Sequence, residues 1–227
     1  MLEAGPRFDR VDAVDAFFKA AIKVPECAYP NTPEAPHPVS NDPDGWYRQS
    51  GPDRFKSTYI KGVGGTTWHW LGTCLRLIPS DFRIRSAFGV QSDWPIAYSD
   101  LEPFYGQAER EIGVSGDSQE TLGAPRSSAY PMGPIPQTFL DKTFARALEG
   151  SGYHVRATPQ GRNSMERDDR PSCCGSASCI PVCPVQAKYD ASIHVDRAEK
   201  AGASIAERTN AVSIALNPDR SVAFIGF

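Results

Sequence analysis

IHVDRAEKAGASIAERTNAVSIAL, residues 193–216, is the stretch that decides the fold class. Ile193 to Ala201 reads as a helix stopped by Gly202, and the apolar stretches 203–206 and 211–216 read as strands. Helix followed by strand is α/β grammar. SVAFIGF, residues 221–227, reads as a further strand with no partner after it. Near the start, LEAGP at 2–6 has the form of a strand end running into a turn, with an acid at Glu3 and punctuation at Gly5-Pro6. Val11, Val14, Phe17, Phe18 and Ile22 then recur at helical spacing between Asp9, an N-cap, and the breaker Pro25.

Pro25 to Pro52 is rich in Pro, Asn, Asp and Gly without sustained periodicity, which predicts an extended loop. In SDWPIAYSDLEPFYGQAEREIG, residues 92–113, Asp100 precedes a helix whose face is Leu101, Phe104, Tyr105, Ala108 and Ile112, closing at Gly113. A further helix carries Phe139, Leu140, Phe144, Ala147 and Leu148 on one face, with Gly150 and Gly152 as its stop. No repeat or low-complexity tract is present.

The 227 residues, 40% apolar and 22% charged, are ordinary globular composition, enough for one large domain or two small ones without disulfides. Lys and Arg total 24 against 27 Asp and Glu, a net charge of −3, which argues against a dedicated nucleic-acid binder. No stretch approaches the roughly 20 apolar residues that span a bilayer, and MLEAGPRFDR lacks the build of a secretory signal. With 20 Pro and 19 Gly, long structured loops are expected.

Two segments could carry chemistry. In KGVGGTTWHW, residues 61–70, the glycines at 62, 64 and 65 let backbone approach a ligand closely, although Thr67 stands where a dinucleotide fingerprint has its third glycine. The bland reading, a Gly-rich turn with Trp68 and Trp70 as core, has equal standing. In CCGSASCIPVCP, residues 173–184, thiolates crowd one short loop ending CxxxCP, which favours an iron-sulfur centre over zinc, the nearest histidine being His194. Adjacent Cys173 and Cys174 have diverging side chains. That predicts three ligands, Cys173, Cys179 and Cys183, with Cys174 spare and the choice within the pair open. Zinc and thiol redox chemistry are the alternatives. Glu3 alone reads as a surface glutamate.

LEAGPR (2–7), VGGTTWHW (63–70), DWPIAYSDLEPFYGQAEREIGV (93–114) and CCGSASCIPVCP (173–184), in that order, resemble the glucose-methanol-choline oxidoreductase family. The likeness is to the flavoprotein subunit of bacterial FAD-dependent gluconate, sorbitol, fructose and glucose dehydrogenases that carry a 3Fe-4S cluster. It covers residue 2 to about 216. The resemblance implies a partial FAD-binding Rossmann-like domain of mixed α/β class, without the first strand and GxGxxG turn, together with a loop-rich iron-sulfur segment. The implied divisions are 1–120 (partial FAD domain), 121–188 (substrate and electron-transfer segment) and 189–227 (return to the FAD domain).

Carried over by position, Glu3 binds the FAD ribose, Gly64, Gly65, Thr66 and Thr67 form the loop beside the pyrophosphate and isoalloxazine, and Val212 contacts adenine through its backbone. None of His37, His69, His154 and His194 matches the family's catalytic histidine, so no catalytic residue is assigned. The implied activity is oxidation of a sugar, sugar acid or polyol hydroxyl, with electrons leaving through the cluster. The implied partners are a multihaem cytochrome c subunit and a small export or chaperone subunit, at the periplasmic face of the bacterial inner membrane. Membrane association would come only through partners. The chain is expected to be an internal fragment that binds FAD weakly or not at all and is inactive alone. The competing reading is a stand-alone iron-sulfur or metal-binding electron-transfer module without flavin chemistry.

Overall fold

The structure is a computed structural model that describes residues 1–39, 45, 50–53 and 58–227. Residues 40–44 and 46–49 of the predicted Pro25–Pro52 loop lie outside the described residues. Its described stretch 25–39 consists of turns and a short bridge between Thr32 and Ala35. Five α-helices and a two-stranded antiparallel sheet make the described chain a mixed helix-and-sheet protein, compatible with the α/β class. It divides into two units: Met1–Leu71 with Ser176–Pro184 and Asp190–Phe227, and Gly72–Gly175 with Val185–Tyr189.

In the first unit, the opening residues run beside 206–209. Leu2 forms a parallel bridge with Ala206, Glu3 N donates to Ala206 O at 3.0 Å, and Thr209 N donates to Glu3 O at 2.8 Å. LEAGP is thus extended chain entering a turn. The stretch 203–206 is a single bridge rather than the expected strand, and the Rossmann-like sheet is not confirmed. At the turn, a Cβ on Gly5 would stand 2.2 Å from Lys61 O, so only glycine lets the 61–63 backbone pass. Val63 N then donates to Pro6 O at 3.0 Å.

Helix α1, Arg10–Lys19, begins where Asp9 Oδ1 accepts from Asp12 N at 3.0 Å. It ends at Ala20, and Lys23 Nζ donates to the carbonyls of Phe17, Phe18 and Ala20, placing a cation at the negative pole of the helix. Its buried side is Ala13 with Val14 and Phe17, packed on Phe8, Tyr29, Ile60, Trp68 and Val182. Val11, Phe18 and Ile22, expected on that face, are exposed. The helix is short and stops before Ile22, and its core contact centres on Ala13, turned away from Val11 and Phe18.

Helix α5, Ser192–Lys200, matches the predicted span to within a residue at each end. After it, β1 (Ser213–Leu216) and β2 (Val222–Gly226) form an antiparallel hairpin, pairing Ile214 with Ile225 and Ala215 with Phe224. The last strand therefore finds its partner before it in sequence. Asn217 and Ser221 close the turn, with Asn217 N donating to Ser221 O at 2.9 Å.

In the second unit, α2 (Ile84–Phe88) is one short turn of helix, and α3 (Tyr98–Ile112) is the DLEPFY helix. Asp100 reaches back to cap Ala97 N at 2.8 Å, and Gly113, at φ 78°, ends the helix as predicted. Tyr98, Leu101 and Tyr105 pack on Phe82, Ala124 and Ile78. Phe104 and Ala108 face outward, contrary to expectation, because Glu109 rather than Ala108 continues the buried row. Helix α4, Phe139–Ala147, is capped by a reciprocal pair, Thr138 N to Asp141 Oδ2 at 2.9 Å and Asp141 N to Thr138 Oγ1 at 3.2 Å. Its predicted apolar face is real but exposed, with Phe139 82% accessible.

Candidate functional site

The glycine loop and the Glu3 turn lie in the same unit and meet through Gly5-Pro6 and Lys61–Val63. Gly64 has φ 95°, a left-handed conformation suited to glycine, and a Cβ there would stand 2.6 Å from Trp68 Nε1 and 3.1 Å from Ser192 N. Gly65, at φ 55°, differs: a Cβ on it would meet nothing within 4 Å. The loop is tight on its inner side and open at Gly65. A 3-10 turn, Gly65–Trp68, follows, and Trp68 Nε1 donates to Val63 O at 2.9 Å.

The two threonines are spent on the loop itself. Thr66 Oγ1 accepts from Ile60 N at 3.4 Å, while Thr67 Oγ1 donates to Gly64 O and accepts from Ala191 N at 2.8 Å. Gly65 N itself donates to Gly62 O at 2.7 Å, so what remains for a ligand is the open Cα face of Gly65. Glu3, half-buried, uses Oε1 to accept from Gly5 N at 2.8 Å, and no other described group bonds its carboxylate. Oε2 is therefore available to a diol. A ribose hydroxyl pair and a flat ring fit this donor set, so the Glu3 and Gly64–Gly65 surfaces suit FAD. Val212 is exposed and its amide donates to Gly226 O at 2.9 Å, which leaves its carbonyl for any contact with adenine.

The cysteine segment is split between the units, Cys173 and Cys174 in the second, Cys179 and Cys183 in the first. Cys183 is 6% exposed, Cys173 and Cys179 are half-buried and Cys174 is exposed. Among the described residues, no group of three or more His, Cys, Asp or Glu side chains is placed to hold a metal ion. Cys183 and its neighbours are nonetheless firmly held. Tyr29 Oη donates to Pro181 O at 2.6 Å, Val182 sits in the core, and Arg10 donates to Cys183 O at 2.8 Å. Elsewhere, burial pushes the Cys74 thiol up to about 11 and also raises Cys27, which leaves both poor nucleophiles. Desolvation lowers the His37 imidazole below its ordinary value, favouring its neutral form.

Sequence reasoning missed two buried ionic groups. In the first unit, Arg10 pairs with Asp190 at 2.6 Å, the aspartate being 1% exposed. In the second, Arg76 bonds both oxygens of Glu109 at 2.8 and 2.9 Å and Glu102 at 3.0 Å, with Arg126 also on Glu109 at 2.7 Å. The signal available for the latter was Glu102 and Glu109, seven apart on the helix side that carries Tyr98 and Tyr105.

No protein-family model matches the chain. It is 39% identical over 228 residues to a fructose dehydrogenase large subunit of Gluconobacter japonicus, covering 96% of this chain and 42% of that one. It is 30% identical over 128 residues to a gluconate 2-dehydrogenase flavoprotein of Pantoea cypripedii, covering 45% of this chain and 21% of the relative. A 6'''-hydroxyparomomycin C oxidase of Streptomyces lividus is 31% identical over 164 residues, 70% of this chain and 30% of its own length. The chain thus spans less than half the length of each of these relatives.

Proposed function

The chain belongs to the glucose-methanol-choline oxidoreductase family, and from that premise we propose that it serves an FAD-dependent dehydrogenase acting on the hydroxyl of a sugar, sugar acid or polyol. The observation that carries the reading is Glu3, with one carboxylate oxygen pinned by Gly5 N and the other uncommitted among the described residues, set by a turn that packs on the glycine loop. Glu3 accepts from the ribose diol through Oε2. Gly65 leaves room for the flat ring system, and Thr66 and Thr67 hold the loop in shape from behind. Trp68 and Ile60, buried in the core, keep water from the rear of the loop. Bound there, the flavin supplies the acceptor for the hydride of the carbinol carbon.

Saturable quenching of FAD fluorescence tests this. Removing the Glu3 charge in Glu3→Gln, or filling the open face in Gly65→Val, weakens binding by roughly tenfold, the worth of one charge-assisted hydrogen bond or one steric block. No saturable binding by the wild type would bear out the expectation that the chain lacks the pyrophosphate turn it needs and would overturn the proposal, as would equal affinity in all three proteins.

The finer assignment, a 3Fe-4S cluster on Cys173, Cys179 and Cys183, is supported by the CxxxCP spacing and the family likeness. After anaerobic reconstitution with iron and sulfide, Cys179→Ser and Cys183→Ser each abolish the oxidised paramagnetic signal and Cys174→Ser keeps it. Tight zinc without iron would contradict the assignment. A cytochrome c partner, a small export subunit and action at the periplasmic face belong to the same proposal. No described helix is long and apolar enough to cross a membrane.

A further inference from the structure

Arg10 stands where a cation is disfavoured. It is the first residue of α1, beside its Asp9 cap, and a positive charge at that end opposes the helix dipole. Its placement answers to something other than the helix. The guanidinium donates to Cys183 O at 2.8 Å and to Asp190 Oδ2 at 2.6 Å, and it lies 4.4 Å from the centroid of the Trp68 ring. Each contact is with a different segment of the same unit: the cysteine loop, the lead-in to α5, and the turn that ends the glycine loop. Asp190 is in turn bonded by Ser192 Oγ, and next to it Ala191 N donates to Thr67 Oγ1 at 2.8 Å.

We propose that Arg10 is a positioning residue, whose guanidinium locks the Cys179–Cys183 loop and the Gly64–Trp68 loop into one fixed arrangement by bridging Cys183 O, Asp190 and the face of Trp68. The geometry requires arginine. A planar fork serves a carbonyl and a carboxylate at once while stacking on indole, and the single ammonium point of lysine does not. The burial of Asp190 raises the stakes, since removing Arg10 takes away the cation of a buried ion pair. Beside Arg10, Tyr29 holds Pro181 O and the core holds Val182, so Cys183 O is the third of three successive anchors on that loop. Losing Arg10 frees the end nearest the Cys183 thiol. The functional meaning of the lock rests on the flavin reading of the glycine loop, but its existence does not.

The test is alkylation of thiols in the folded chain, without flavin or metal, with each cysteine quantified by mass spectrometry. Cys183 is buried and reacts only when its loop opens. Cys27, half-buried in the same unit, reports unfolding of that unit, and Cys74 that of the other. In Arg10→Met, Cys183 labels roughly ten- to a hundredfold faster, the factor that loss of one charge-assisted hydrogen bond gives a local opening, while Cys27 and Cys74 are unchanged. Arg10→Lys, which keeps the charge near Asp190, falls between, and it carries the test by the same criterion should Arg10→Met not fold. Cys183 labelling at the wild-type rate, or rising in step with Cys27, would overturn the lock. Failure of FAD to bind the wild type would instead defeat the flavin reading and leave this result standing.

Discussion

Glu102 holds its charge further into acid than an ordinary glutamate. Hydrogen bonds from the Ser127 amide and hydroxyl, then from Arg76, keep its carboxyl at about 2 instead of 4.5. A carboxyl that is more acidic folded than unfolded contributes stability that is complete above the unfolded value and is lost as pH falls through the folded one. The melting temperature of the wild type should therefore fall more steeply between pH 4.5 and 2 than that of Glu102→Gln, which has no proton to take up there. Parallel curves would show that Glu102 is not what the acid limb reports. Glu109 acts differently, because it is buried between Arg76 and Arg126. Breaking such a buried group costs about 3–5 kcal/mol, much of it the penalty of stranding the remaining charges.

At the scale of elements, α3 and α4 look alike in sequence and behave oppositely. Both carry aromatic residues at helical spacing, but α3 lays Tyr98 and Tyr105 on Phe82, whereas α4 buries no residue among those described. Phe82 is 1% exposed, so Phe82→Ala should cost about 3–5 kcal/mol in denaturant unfolding. Phe144→Ser, on the open face of α4, should change stability by less than about 0.5 kcal/mol and raise solubility. Equal losses in the two variants would mean that the burial contrast between the helices is false.

The difference also shows what sequence can convey. Helix spans were legible because caps such as Asp9 and Gly113 are local signals, whereas Thr138, which caps α4, went unread; the Glu3 and Gly64–Gly65 positions were singled out by motif order. Which face each helix buries was not, since that depends on partners distant in sequence. Arg10, Tyr29 and Asp190 escaped for the same reason: each acts through a residue more than a hundred positions away, and an arginine at a helix start reads as solvated. The stretch 203–206 looked like a strand by its own composition, yet it pairs with Leu2 for a single bridge.

For the whole molecule, the family assignment rests on similarity along nearly the full chain, 96% of it at 39% identity, and the chain corresponds to 42% of that relative. The flavin reading draws all its residues, Glu3, Gly65 and Val212 with Thr66 and Thr67 behind the loop, from one unit, and the buried network of Arg76 and Glu109 belongs to the other. That separation makes the central claim directly measurable by amide hydrogen exchange with and without saturating FAD. The account predicts slowed exchange at Glu3–Arg7 and Gly64–Trp68, with the amides around Arg76 and along α3 unchanged. Protection absent from both of those segments, or concentrated in the second unit, would contradict it.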